Sequence, residues 1–326
     1  MSRKLLTLSL TATLMGGTAF ADAPRVAVDI APVHSLVTRV MEGVGTPDLI
    51  IQAGASPHEY SLRPSEAAAL QDANLVFWIG SGLTPWLTDT IETLAPNANV
   101  TELLEADGTI ELEFREGALF EAHDDHEEDE HRDDDDHKEE DDDHANEEAG
   151  HDEHEHGDHD PHAWLSPQNA MTWMNVIAGQ LSAADPDNAG AYFANAAAGR
   201  AEIKVLIGEV TATLDPVRDG RFIVFHDAYQ YFETDFNFPA SGAISISDAS
   251  DPSPARIAEI QDRIAEQGID CVLAEPQFNP GLVATVLEGS NAQTGILDPL
   301  GSDLKPGSAL YPQLIRNLST ALAGCM

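Results

Sequence analysis

This 326-residue chain has only two cysteines, sixteen basic residues against 57 acidic ones, and no apolar run of membrane-spanning length. Cys271 and Cys325 have no close-spaced partners, so a thiolate metal site is the weaker rival of one disulfide, the ordinary state of an even pair in an oxidising compartment. Such a bond would contribute roughly 4 kcal/mol by restricting the unfolded chain. A formal charge of −41 repels nucleic acid and anionic membrane and attracts cations. The apolar run from Leu5 to Gly17 is too short to span a bilayer, and no later segment approaches the necessary length. No His-Glu-x-x-His segment occurs, and Gly43-Val44-Gly45 lacks the third glycine of a phosphate-cradling turn.

What is present begins with an export signal. Arg3 and Lys4 precede the apolar run, and Ala19-Phe20-Ala21 is an A-x-A cleavage site, giving an expected signal peptide over 1–21 and a mature start at Asp22. With no cysteine there to carry a lipid, the expected product is a soluble exported protein.

The most unusual stretch is 121–160, which holds nine of the thirteen histidines, 23 acidic residues and only two basic ones. It has almost nothing apolar to bury and is expected to have no fixed structure of its own. A solvated charge run needs only acid, whereas histidine and carboxylate together gather divalent metals. His123, His126, His131, His137, His144, His151, His154, His156 and His159 are therefore candidate auxiliary metal ligands. The tract carries 2 − 23 = −21 of the total charge.

Elsewhere, short β-branched runs alternate with helical stretches, which predicts an α/β protein with mainly parallel, buried sheets. Expected strands are Val26 to Ile30, Leu49 to Ile51, Leu75 to Ile79 and Asn99 to Leu104, then Arg221 to Phe225, Ala243 to Ile246, Cys271 to Ala274 and Gly295 to Leu297. A long helix is expected from Asp185 to Leu214, with Phe193, Ala196, Ala197, Ile203, Leu206, Ile207, Val210 and Leu214 recurring at helical spacing. It would be roughly 43 Å long, stiff enough to join two lobes with little hinging. The expected organisation is an N-terminal lobe over 22–184 that includes the acidic tract, a linking helix over 185–215 and a C-terminal lobe over 216–326.

Open parallel sheets bind ligands beyond the carboxyl ends of their strands. His226, Glu275 and Asp298 each follow a second-lobe strand, His58 comes soon after Leu49 to Ile51, and His162 lies between the acidic tract and a helix opening near Ser166. Three imidazoles and one oxygen suit tetrahedral zinc better than manganese or magnesium, which favour more oxygen ligands. His34, opening a helical stretch, reads as structural or rim.

Four segments then carry a family resemblance. Ala55-Ser56-Pro57-His58-Glu59-Tyr60-Ser61-Leu62-Arg63-Pro64-Ser65, Pro161-His162-Ala163-Trp164-Leu165-Ser166-Pro167, Val224-Phe225-His226-Asp227-Ala228-Tyr229 and Leu297-Asp298-Pro299-Leu300-Gly301 resemble ZnuA-type periplasmic zinc-binding proteins of bacterial ABC transporters. The resemblance covers the whole mature chain, including the His-rich insertion, the long helix and the C-terminal cysteine pair. It implies Zn²⁺ held by His58, His162 and His226, with Asp298 or water as the fourth ligand. It also implies an inner-membrane ABC permease as partner and a monomer that neither inserts into the membrane nor binds nucleic acid. Manganese-selective relatives tend to have Glu where His226 stands, which places this sequence on the zinc side. Some zinc-binding members have Glu where Pro57 stands here; Pro57 cannot ligate through its side chain, and Glu59 points away in a tight turn.

Two other readings stand beside the zinc receptor. A zinc hydrolase would need an open metal position and a base such as Glu275 or Glu59. A zinc buffer or metallochaperone would use the tract as its store and the lobes as scaffold.

Overall fold

The computed structural model describes residues 23–115, 117, 120, 159–245 and 252–326. The expected signal peptide, the tract from 121 to 158 and Ile246 lie outside the described residues.

The first half runs β1 (Val26–Val28), α1 (Ala31–Val40), β2 (Asp48–Leu49), α2 (Pro64–Asp72), β3 (Leu75–Trp78), α3 (Pro85–Leu94) and β4 (Asn99–Glu102). β1 and β3 are buried along their whole length, which is why they read as continuous apolar runs rather than alternating ones. Proline stands at the first or second position of α1, α2 and α3, where a missing N–H costs nothing. The four strands pair in parallel in the order β2-β1-β3-β4.

Two helices connect the halves, α4 (Pro167–Ala184) and α5 (Ala189–Leu214). Ser166 caps α4 by accepting from Asn169 N. The Asp185 carboxylate does not cap the helix that follows; it accepts from Asn188 Nδ2 at 2.7 Å and Tyr192 Oη at 2.8 Å, after which a short 3₁₀ turn, Pro186–Asn188, leads into α5. The 26 residues of α5 span about 39 Å at about 1.5 Å each. Its buried stripe is Tyr192, Ala196, Gly199, Ile203, Leu206, Val210 and Leu214. Phe193, expected on that face, is 52% exposed, because Tyr192 takes the inward position and satisfies its hydroxyl on Asp185. Gly199 lets α5 close on α4, since a Cβ there would lie 2.6 Å from Cε of Met174.

The second half repeats the plan with β5 (Phe222–His226), α6 (Gln230–Phe236), β6 (Ala243–Ser245), α7 (Pro254–Gln267), β7 (Cys271–Ala274), α8 (Pro280–Val286), β8 (Gln293–Ile296) and α9 (Leu310–Cys325). Its sheet is parallel in the order β6-β5-β7-β8. The two parallel sheets joined by the long helix are the expected α/β architecture.

One core runs through both halves, because α9 packs on α5 and α1 as well as on β8. Tyr311 N donates to Ser35 Oγ at 2.9 Å, fixing the start of α9 against α1. A smaller core, built on Ile223, Phe225, Ile260 and Val272, fills another face of the second sheet. Cys271 and Cys325 form a disulfide across 54 residues with Cα atoms 5.7 Å apart, tying the end of α9 to β7. Among the described residues no helix is long and apolar enough to cross a membrane.

Candidate metal centre

His226 ends β5 and is buried at 5% exposure. Its backbone N and its Nδ1 both meet Oε1 of Glu275, at 3.3 Å and 2.7 Å, and Glu275 is the first residue after β7. With Nδ1–H donating to the carboxylate, the ring keeps its lone pair on Nε2, the tautomer a metal needs, and the carboxylate makes that nitrogen a better donor. Phe278 stacks on Phe225 at 4.2 Å and meets the His226 ring edge-on at 5.4 Å, fixing the imidazole from the side.

His162 is held in the same manner by a local turn. Oδ1 of Asp160 accepts from the His162 backbone N at 2.9 Å and lies 2.7 Å from its Nδ1. Burial of Asp160 pushes its carboxyl up to about 7, against the opposing pull of the His162 N–H and of Arg115. Trp164 stands 5.3 Å from the His162 ring, and its indole N–H donates to the carbonyl of Pro299 at 2.8 Å, joining this turn to the loop after β8.

His58 sits in the loop between β2 and α2 and is partly exposed. Trp86 Nε1 donates to the Pro57 carbonyl at 2.8 Å. Tyr60 donates to Glu66 at 2.9 Å, while the other Glu66 oxygen accepts from Arg63 N at the start of α2. These bonds fasten the loop on both sides of His58.

The three rings come together at one place. Centroids of His58 and His162 are 5.9 Å apart, and those of His162 and His226 are 5.3 Å apart. Imidazoles bound to zinc through nitrogen at about 2.0 Å, at a tetrahedral angle, have centroids roughly 5 Å apart. All three line a cavity of about 20 Å³ with Glu275, Trp164 and Phe278 in its walls, room for one ion or water and little else. Among the described residues no group of three or more His, Cys, Asp or Glu side chains is arranged so that it could hold a metal ion as it stands.

The other predicted residues fall elsewhere. Asp298 does not line the cavity. Its Oδ1 accepts from Leu300 N and Gly301 N at 3.1 and 2.9 Å, and its Oδ2 from Ser302 N and Oγ at 2.6 and 2.5 Å. Glu59 is exposed. His34 is buried in α1, with Nε2 3.1 Å from the Pro47 carbonyl and Nδ1 3.4 Å from Thr38 Oγ1, in keeping with the structural reading. Of the tract histidines only His159 is described; its Nδ1 is 3.5 Å from Glu111 Oε2. The carboxylate partners were hard to find in sequence. Asp160 reads as the last acid of a solvated tract, although its spacing two residues before His162 is the signal of a side chain turning back on the chain. Glu275 is recognisable only by its place after a strand.

A family model described as "Zinc-uptake complex component A periplasmic" matches residues 26–325. A relative from Brucella abortus, High-affinity zinc uptake system protein ZnuA, is 48% identical over 314 residues, covering 95% of this chain and 94% of that protein. The protein of the same name from Paracoccus denitrificans is 44% identical over 314 residues, covering 94% and 93%. A solved ZnuA structure, a 138–173 deletion mutant with zinc bound, has the same fold at a TM-score of 0.71 and 24% identity, covering 93% of this chain and 98% of that one.

Proposed function

The chain belongs to the family of periplasmic component A proteins of zinc-uptake complexes, and from that premise we propose that it captures one Zn²⁺ through His58, His162 and His226 and delivers it to an ABC permease. It is a solute-binding protein and not an enzyme. The observation that carries the proposed ligand set is the meeting of three imidazoles from distant chain positions on one small cavity, two of them oriented by buried carboxylates. Water completes the shell in this reading, because Asp298 would have to give up its bonds to Leu300, Gly301 and Ser302 to take the fourth position.

Residues 22–184 and 216–326 act as two lobes on either side of a stiff link, so ion capture needs local adjustment around the cavity rather than a wide closure. Cleavage after Ala21 releases the mature protein, which works as a monomer. The tract histidines form an auxiliary collector or sensor for zinc, separate from the tight site. In isothermal calorimetry His58→Ala, His162→Ala and His226→Ala should each lower zinc affinity by about two orders of magnitude or more, since each removes a first ligand. Unchanged affinity in all three variants would sink the assignment.

A further inference from the structure

Arg115 acts on Asp160 only through the pull of its charge, yet its guanidinium makes contacts to two buried carboxylates near the cavity. Its Nε lies 2.9 and 3.0 Å from the two oxygens of Asp227, and Nη2 also meets Asp227 Oδ1. Nη1 is 2.8 Å from Glu233 Oε2 and Nη2 is 3.1 Å from Glu233 Oε1. The guanidinium side chain is 17% exposed and its two partners 7% and 5%, while the ring of Phe120 covers its face at 3.5 Å.

The two ends of this contact belong to different parts of the centre. Asp227 directly follows His226, and Glu233 lies in α6, where it also accepts from Ala240 N at 3.0 Å. Arg115, in contrast, belongs to a strap that carries His162. Asp160 N donates to the Leu112 carbonyl at 2.8 Å, and Glu113 pairs with His159 in an antiparallel bridge. Tyr231 of α6 ties both strands of the strap, accepting from Leu112 N at 3.0 Å and donating to the Asp160 carbonyl at 2.8 Å. The strap therefore lies on α6, and Arg115 is its pin to the carboxylate beside His226.

Buried ion pairs contribute little net stability, because desolvation offsets their attraction. What a two-sided arginine fork supplies is a fixed relative position. We propose that Arg115 is a positioning residue for metal capture: it locks the strap bearing Asp160 and His162 to the segment bearing His226 and so sets the separation of those two imidazoles. This rests on the reading of His162 and His226 as zinc ligands.

The sign of the mutational effect separates position from charge. Arg115 is a cation near a cation site; its pull on Asp160 is retained in Arg115→Lys, and its direct charge effect on removal would be tighter zinc binding. A positioning role gives the reverse. The test uses the mature full-length protein, with zinc affinity from competition titration, the visible spectrum of the Co²⁺-loaded form as a gauge of coordination geometry, and metal-free melting as a check of the fold. Arg115→Met should bind zinc about 10- to 100-fold more weakly, the range typical of losing a support of a metal ligand, with an altered Co²⁺ band. Arg115→Lys, which keeps charge but not the fork, should recover only part of the affinity. Zinc binding that is equal or tighter in Arg115→Met, with an unchanged Co²⁺ spectrum, would overturn the proposal. Should Arg115→Met not fold, Tyr231→Phe removes two hydrogen bonds of the same strap, to Leu112 N and the Asp160 carbonyl, without changing charge. It should weaken zinc several-fold, and an unchanged affinity and spectrum would overturn the proposal equally. His162→Ala measured alongside keeps the two claims apart: undiminished zinc binding there would fault the ligand assignment and not the pin.

Discussion

The two sheets have the same strand order, and in each a carboxylate bridges the carboxyl ends of the two central strands. In the first sheet it is Asp29, one residue past β1, whose oxygens accept from Ile30 N and from Ile79 N beyond β3, both at 2.7 Å. In the second sheet it is Glu275, past β7, which accepts from the backbone N and ring nitrogen of His226. One lobe uses the device to close its own backbone, and the other uses it to aim an imidazole. The first lobe presents its proposed ligand, His58, from a loop, and Trp86, Tyr60 and Glu66 hold that loop. A ligand on a strand end inherits the rigidity of the sheet, while one on a loop depends on added fastenings.

The largest effect is expected at Asp29. Asp29→Ala strips two buried N–H groups of their acceptor, at about 1–3 kcal/mol each, so the metal-free protein should lose about 2–6 kcal/mol in chemical denaturation. Zinc affinity of the folded fraction should hardly change. Next is Glu275→Ala, for which the expectation inverts: zinc affinity falls about 10- to 100-fold in competition titration, with a smaller effect on the metal-free fold. Equal effects of the two substitutions on zinc would erase the distinction between the lobes.

The smallest expected effect concerns His34, a histidine that holds structure instead of metal. Burial lowers its pKa from the ordinary 6.5, against the opposing bond to Pro47 and the charge of Asp48. Below about pH 6.5 the unfolded chain therefore takes up a proton that the folded chain refuses, so stability rises with pH through this window and falls as the solution is acidified. In metal-free melts between pH 5 and 7, His34→Gln should flatten that acid-side loss by one proton's worth. An unaltered slope would show that the buried imidazole does not contribute it.

Much of this arrangement was legible in the residues. Fully buried parallel strands leave unbroken apolar runs such as Leu75 to Trp78, and proline at helix starts marks α1 to α4, so the alternation could be read directly. Only four histidines lie outside the acidic tract, and three of them, His58, His162 and His226, line one cavity in the structure. What could not be read were the contacts made between distant segments. Phe193 fits a helical stripe as well as Tyr192 does, and only the hydroxyl's bond to Asp185 decides which turns inward. Asp298 follows a strand in the sequence, and only the structure shows its oxygens accepting from Gly301 N and Ser302 N of the turn after it. Arg115, Asp227 and Glu233 are ordinary charges in sequence and become a buried cluster only in three dimensions.

In the proposed function tight zinc binding belongs to His58, His162 and His226, and the acidic tract is an accessory. The decisive measurement is the metal content and affinity of the mature protein lacking residues 121–158, taken beside the intact protein. Both proteins should hold one tightly bound zinc per chain, with only weaker additional binding lost on deletion. Loss of the tight zinc from the deletion protein, with the rest of the chain folded, would contradict that assignment and place the site in the tract.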